Sequence, residues 1–266
     1  MTEHLRIGTC SWRFPSWHEL VYSARKGINY LREYAELYDT VEIDRWFWSL
    51  FGEDSVGLPN PADVERYRRS VPEDFVFTVK APNSLTLTHF YRKRKTDPMV
   101  ENPHFLSPSL LRDFLALLEP LDHTLGPVML QFGYLNKKMV DSQEQFQDLF
   151  QAFCRQMPKG YPYAVEMRNA QYLNRTYFEF LAQNRVSPVL LQGYWMPDIT
   201  GVYAEWRELI TQHDLLVIRL LGPDRKGIEE QTGKHWDRIV APKDEELSAI
   251  VDMTEDLLAR GVTVHF

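Results

Sequence analysis

The chain has 266 residues, 44% of them hydrophobic and 25% charged, with 30 Lys and Arg against 37 Asp and Glu for a net charge of −7. That is ordinary globular composition for one large α/β domain or two small ones, and the acidic balance argues against a dedicated nucleic-acid binder, which shows a basic surplus. Two cysteines far apart, Cys10 and Cys154, argue against a zinc ribbon or a disulfide framework, and no stretch approaches 18 uncharged apolar residues, so no membrane span is expected.

Strand-like and helix-like segments alternate along the chain. The strands are expected at Leu5–Cys10, Thr40–Asp44, Phe75–Lys80, Gly126–Phe132, Tyr163–Arg168, Ser187–Gln192, Leu215–Leu221 and Val262–Phe266. Amphipathic segments fill the seven gaps: Gly27–Tyr38, Pro61–Val71, Ser107–Leu121, Asp141–Met157, Arg175–Asn184, Tyr203–His213 and Lys243–Arg260. This order predicts an α/β fold, a TIM-type (β/α)8 barrel of parallel strands, over the alternative of a doubly wound open sheet. The chain stops directly after the eighth strand, so no regular eighth helix is expected in it. Nothing in the pattern divides it, and residues 1–266 read as one domain with a long excursion at 81–108. The N-terminus lacks a basic segment followed by an apolar run, so no leader is expected, and a reducing, cytoplasmic setting fits the thiols.

In a barrel strand, alternate residues face the helices and the interior. Apolar residues on the outward parity leave Glu42, Asp44, Lys80, Gln131, Glu166, Arg168, Gln192, Arg219 and His265 facing in near the strand ends. Burying unpaired charge costs several kcal/mol, so the set implies either a polar site or a self-satisfied network, for example Arg168 with Glu42 or Arg219 with Glu166.

The chain resembles the domain of unknown function 72 family (YecE-like proteins), which are similar to TIM barrels. The resemblance rests on Ile7-Gly8-Thr9-Cys10-Ser11-Trp12; Thr40-Val41-Glu42-Ile43-Asp44; Phe77-Thr78-Val79-Lys80 with Thr88-His89; Leu125 to Gln131; Ala164-Val165-Glu166-Met167-Arg168; and Val217 to Gly222. Where the family has Asn after Glu-Ile this chain has Asp44, and Leu221 stands where the family has His. The resemblance supports the fold and the position of the site and implies no reaction.

Chemically, Lys80, Arg168 and Arg219 suit a phosphate or carboxylate, with Gln131, Gln192, His265, His89 and Trp12 as further substrate contacts. Glu42 and Glu166, with Asp44, suit general acid–base roles, a glycosidase being a special case. Trp12, Trp17, Trp46, Trp48, Tyr194 and Trp195 could stack on rings or simply pack. Metal binding by Glu42, Asp44, Glu166 and His265 has no supporting motif and is opposed by the cations, and the missing Gly-x-Gly-x-x-Gly disfavours a dinucleotide, so neither metal nor cofactor is expected. Cys10 reads as a small buried cysteine. The expected function is an enzyme, a hydrolase or isomerase, acting on an anionic or polyhydroxyl small molecule at the barrel mouth. The alternative is a non-catalytic nucleic-acid or ligand-binding module using Arg92-Lys93-Arg94-Lys95 beside Phe90 and Tyr91.

Overall fold

The computed structural model describes residues 4–266 apart from 25, 53, 54, 93, 95 and 223. The elements run β1 (Leu5–Arg6), α1 (Tyr30–Tyr34), β2 (Thr40–Ile43), β3 (Leu50–Gly52), β4 (Ser55–Val56), α2 (Pro61–Arg68), β5 (Val76–Lys80), α3 (Pro108–Leu118) and β6 (Leu125–Phe132). They continue with α4 (Gln143–Cys154), β7 (Tyr163–Met167), α5 (Arg175–Asn184), β8 (Ser187–Gln192), α6 (Ile199–Ile210), β9 (Leu215–Leu220), α7 (Arg225–Thr232), α8 (Asp244–Ala259) and β10 (Thr263–His265).

Eight strands form one parallel sheet in the order β1-β10-β9-β8-β7-β6-β5-β2, and β3 pairs with β4 as a separate antiparallel hairpin. The sheet curls into a nearly closed barrel. Past the end of β1, the Gly8 N–H donates to the Phe266 carbonyl and the Glu42 N–H donates to the Thr9 carbonyl, at 3.1 and 3.0 Å, bringing β1 against both β10 and β2. A Cβ on Gly8 would run into the Thr40 carbonyl, so this closure needs a residue with no side chain.

The helices start where their sequences supply caps. Asn60, Ser107, Ser142, Asn174 and Asp198 each accept a hydrogen bond from a first-turn amide, and Pro61 and Pro108 occupy first helical positions. Outward-facing Val41, Ile43, Phe77, Val79, Val128, Leu130, Val165, Leu190, Leu216, Ile218 and Val264 join the helices in one large core. Inside the barrel Met129, Ala164, Val189 and Val217 form a separate small apolar cluster. That cluster is the dry floor beneath the charged residues. Among the described residues, no helix is long and apolar enough to cross a membrane.

The structure departs from the sequence expectation at several boundaries. Ladder pairing in β1 stops at Arg6, and α1 is a short helix rather than spanning Gly27–Tyr38. The hairpin β3–β4 and helix α7, capped by Asp224, had no clear periodicity to announce them.

Candidate active site

Glu42, Glu166 and Arg219 converge from β2, β7 and β9 at the C-terminal mouth. Arg219 donates from Nε to Glu42 Oε2 at 2.8 Å and from Nη2 to Glu42 Oε1 at 3.0 Å. Its Nη1 donates to Glu166 Oε2 at 2.5 Å and reaches Gln131 Oε1 at 3.4 Å. The other oxygen of Glu166 accepts from Arg168 Nε at 2.6 Å. Glu166 is fully buried, and Glu42 and Gln131 are nearly so. Burial opposes charge on Arg219, but Glu42 and Glu166 outweigh it and hold the guanidinium firmly protonated. Two carboxylates thus meet two guanidiniums. The Arg219–Glu166 pair of the sequence expectation forms; Arg168, however, pairs with Glu166 and not with Glu42.

Lys80 and Asp44 stand outside this balanced network, with no ion-pair partner among the described residues. Lys80 ends β5, is buried, and places Nζ 4.0 Å from the centre of the Phe47 ring. Burial pushes its pKa down, partly offset by Glu42. Asp44 is exposed at the rim just past β2, where local desolvation and then the charge of Glu42 push its carboxyl up. Cys10 corrects the expectation of a buried cysteine: the residue as a whole is exposed at the same mouth, although local desolvation of its thiol and then the charge of Glu42 raise its pKa.

Phe47 is held over Lys80 by a buried hydrogen-bond knot. The Asn83 N–H donates to the Phe47 carbonyl at 2.7 Å, and Asn83 Oδ1 accepts from the Ser49 and Leu50 amides and the Ser49 hydroxyl. Ser49 Oγ also meets Ser84 Oγ at 2.8 Å. Neither Phe47 nor Asn83 was singled out by the sequence reading; the signal was a Pro82-Asn83-Ser84 run, with Asn83 three residues past the inward Lys80.

Other expected site residues lie elsewhere. Gln192 does not face inward: Val189 sits in the interior cluster, so the opposite parity points Gln192 outward, where its amide accepts from the Ile199 N–H at 2.9 Å and donates to Asp198 at the start of α6. His265 faces in but low in the barrel. It is level with Arg6 and Val217, and a side chain on Gly126, at the start of β6, would approach its ring. Its Nδ1 is buried without a partner among the described residues, and burial pushes its pKa down to about 4. Trp12 packs edge-on against Tyr67 of α2 at 4.9 Å, and Trp46 stacks on the same ring at 5.6 Å. His89 bonds Thr88 and bridges to Glu101 within the 81–108 excursion. In the basic run, Lys93 and Lys95 lie outside the described residues, Arg92 donates to the Asp97 carbonyl, and the Arg94 amide donates to the Asp97 carboxylate.

A cavity of about 810 Å³ is lined by Leu247 and Val251 of α8 and also by Glu42, Thr78 and Arg219. A second cavity, about 430 Å³ and lined by Cys154, Lys159, Tyr163 and Arg185, lies at the opposite end of β7 with none of these charged residues on its wall.

Comparison with known proteins places the chain among relatives of the same architecture. The family model described as "Protein of unknown function DUF72" matches residues 6–266. The UPF0759 protein YecE of Escherichia coli strain K12 is 27% identical over 193 residues, which cover 70% of this chain and 58% of that protein; YecE of strain O157:H7 matches to the same extent. Crystal structures of DUF72 family proteins superpose over 98% of this chain. That from Enterococcus faecalis V583 has a TM-score of 0.67 at 18% identity and is covered over 87% of its length. That from Thermotoga maritima MSB8 has a TM-score of 0.63 at 21% identity and is covered over 90%. These likenesses bear out the barrel.

Proposed function

Since the chain belongs to the DUF72 family, whose description assigns no reaction, we propose a function from the site itself: an enzyme, hydrolase or isomerase, doing acid–base chemistry on an anionic small molecule at the barrel mouth. One observation carries this reading. Lys80 and Asp44 sit beside a charge-balanced network without belonging to it, and their environments push both toward the neutral form. An amine with a lowered pKa is a better proton acceptor at working pH, and a carboxyl with a raised one is a better donor. Lys80 is therefore the base and Asp44 the acid.

The roles of the other residues follow. Glu42 and Glu166 are committed to Arg219 and Arg168, so they hold the site's field rather than exchange protons. Arg168 uses Nε on Glu166, and its two terminal nitrogens have no partner among the described residues. Those nitrogens suit the substrate's phosphate or carboxylate, in the planar two-point grip that guanidinium offers. Apolar Met129, Ala164, Val189 and Val217 below exclude water and strengthen every interaction above them.

The test is proton exchange. Sugar phosphates and small hydroxy and keto acids are incubated with the protein in D2O, and carbon-bound deuterium and product are followed by NMR. Lys80→Met and Asp44→Asn should each lower the rate by about 10²–10⁴-fold, the usual worth of a positioned acid or base, with melting temperature little changed. Turnover that survives Lys80→Met would sink the assignment.

A further inference from the structure

Two exposed aromatic pairs stand on the rim of the mouth with Arg168 between them. Trp48, just past β2, and Tyr91, in the 81–108 excursion, have ring centres 5.9 Å apart. Tyr194 and Trp195, in the loop after β8, have ring centres 5.5 Å apart. All four are more than half exposed: Trp48 62%, Tyr91 58%, Tyr194 53% and Trp195 59%. Large aromatic surface left in water on separate loops at one end of the barrel is the pattern of a ligand site, since each ring would gain by being covered.

Arg168, which follows β7 between β5 and β8 in the sheet, touches the second pair directly. Its guanidinium lies 5.3 Å from the centre of the Tyr194 ring, and its carbonyl accepts from Trp195 Nε1 at 3.2 Å. Burial raises the pKa of the Tyr91 phenol, an effect that Asn83 and the charge of Arg168 only partly offset. The rim is also built, not draped. Tyr194 follows Gly193 and has φ +54°, a left-handed conformation that costs a residue with a Cβ and needs surrounding structure to hold it.

We infer that the mouth takes a planar aromatic ring carrying an anionic group, with the ring stacked among Trp48, Tyr91, Tyr194 and Trp195 and the anion on the terminal nitrogens of Arg168. This rests on the anion-binding part of the function proposed above and names its substrate class. A flat π-face matches the aromatic pairs whatever its hydrogen-bonding edge, so the rim selects for ring shape first. Arg168, Lys80 and Asp44 all border the Glu42–Glu166–Arg219 network, so an anion held on Arg168 enters the same mouth as the acid–base pair.

Binding of AMP and UMP to the full chain, compared with ribose 5-phosphate and inorganic phosphate by calorimetry, tests it. Both nucleotides should bind at least ten times more tightly than ribose 5-phosphate. Trp48→Ala and Trp195→Ala, both on exposed side chains, should each weaken nucleotide binding by about tenfold and leave ribose 5-phosphate unchanged. Equal affinity for AMP and ribose 5-phosphate, or nucleotide binding indifferent to both tryptophans, overturns the ring site and leaves the anion site standing. Failure of all four probes to bind, or binding that survives Arg168→Ala, removes the anion site and this inference with it.

Discussion

Arg219 grips both oxygens of Glu42 from the far side of the barrel, across 177 residues of sequence, and with its remaining nitrogen it also holds Glu166. One guanidinium therefore compensates two buried carboxylates on two other strands. Removing it is expected to be costly for a reason that its own contacts understate. The desolvated carboxylates remain, with Arg168 on Glu166 and no ion-pair partner for Glu42 among the described residues.

Arg219→Ala should accordingly destabilise the protein by roughly 3–5 kcal/mol, the usual penalty for orphaning a buried partner. The double variant Glu42→Gln, Arg219→Met should recover part of that loss, because it removes one stranded charge as well. Urea unfolding at neutral pH measures both. A single variant within about 1 kcal/mol of the parent would mean that water already screens the network, since pairs exposed to water are worth no more than that.

Asn83 is 1% exposed, and its side-chain oxygen serves three donors on the β2–β3 connection. Asn83→Ala strands two backbone amides in an apolar setting, at about 1–3 kcal/mol. It also loosens Phe47 above Lys80. The expected outcome is a lower melting temperature together with a changed titration of Lys80, read by the pH dependence of its reaction with an amine reagent. Tyr91→Phe, which removes only a rim hydroxyl, should change the melting temperature far less. Equal effects of the two substitutions would show that the knot does not hold the site.

His265 links stability to pH. Its folded pKa is depressed from 6.5 to about 4 by burial, so the folded state resists a proton that the unfolded chain takes up readily. The stabilisation is complete above about pH 6.5, where both states are neutral. It falls as pH drops from there to about 4, with a total on the order of 3 kcal/mol. Unfolding free energies of the parent and of His265→Leu, measured between pH 7.5 and 4.5, should diverge in slope over this window, with the parent losing more. Parallel curves would place the imidazole in contact with water.

The sequence by itself determined the barrel strands and, for β2, β7 and β9, which face is buried. Period-2 alternation put Glu42, Glu166 and Arg219 inside, and a helix signal in every gap made the sheet parallel and closed; both held because they depend on local pattern alone. The start of α2 at Pro61 was legible for the same reason. Tertiary structure alone decided how high each side chain stands in the barrel and which partner it meets. That height depends on the stagger between strands and on the irregularity where β5 meets β6, neither of which is written in any one segment. So His265 faces inward as expected but sits at the level of Arg6, and Arg168 finds Glu166 rather than Glu42. Gln192 turned outward because the interior cluster fixes the parity of β8 through Val189, while its own sequence of Val-Leu-Leu-Gln allows either face. The knot around Asn83 and the two aromatic pairs at the rim lie in loops, where no periodicity exists to be read and only the closing of the barrel brings the chain segments together.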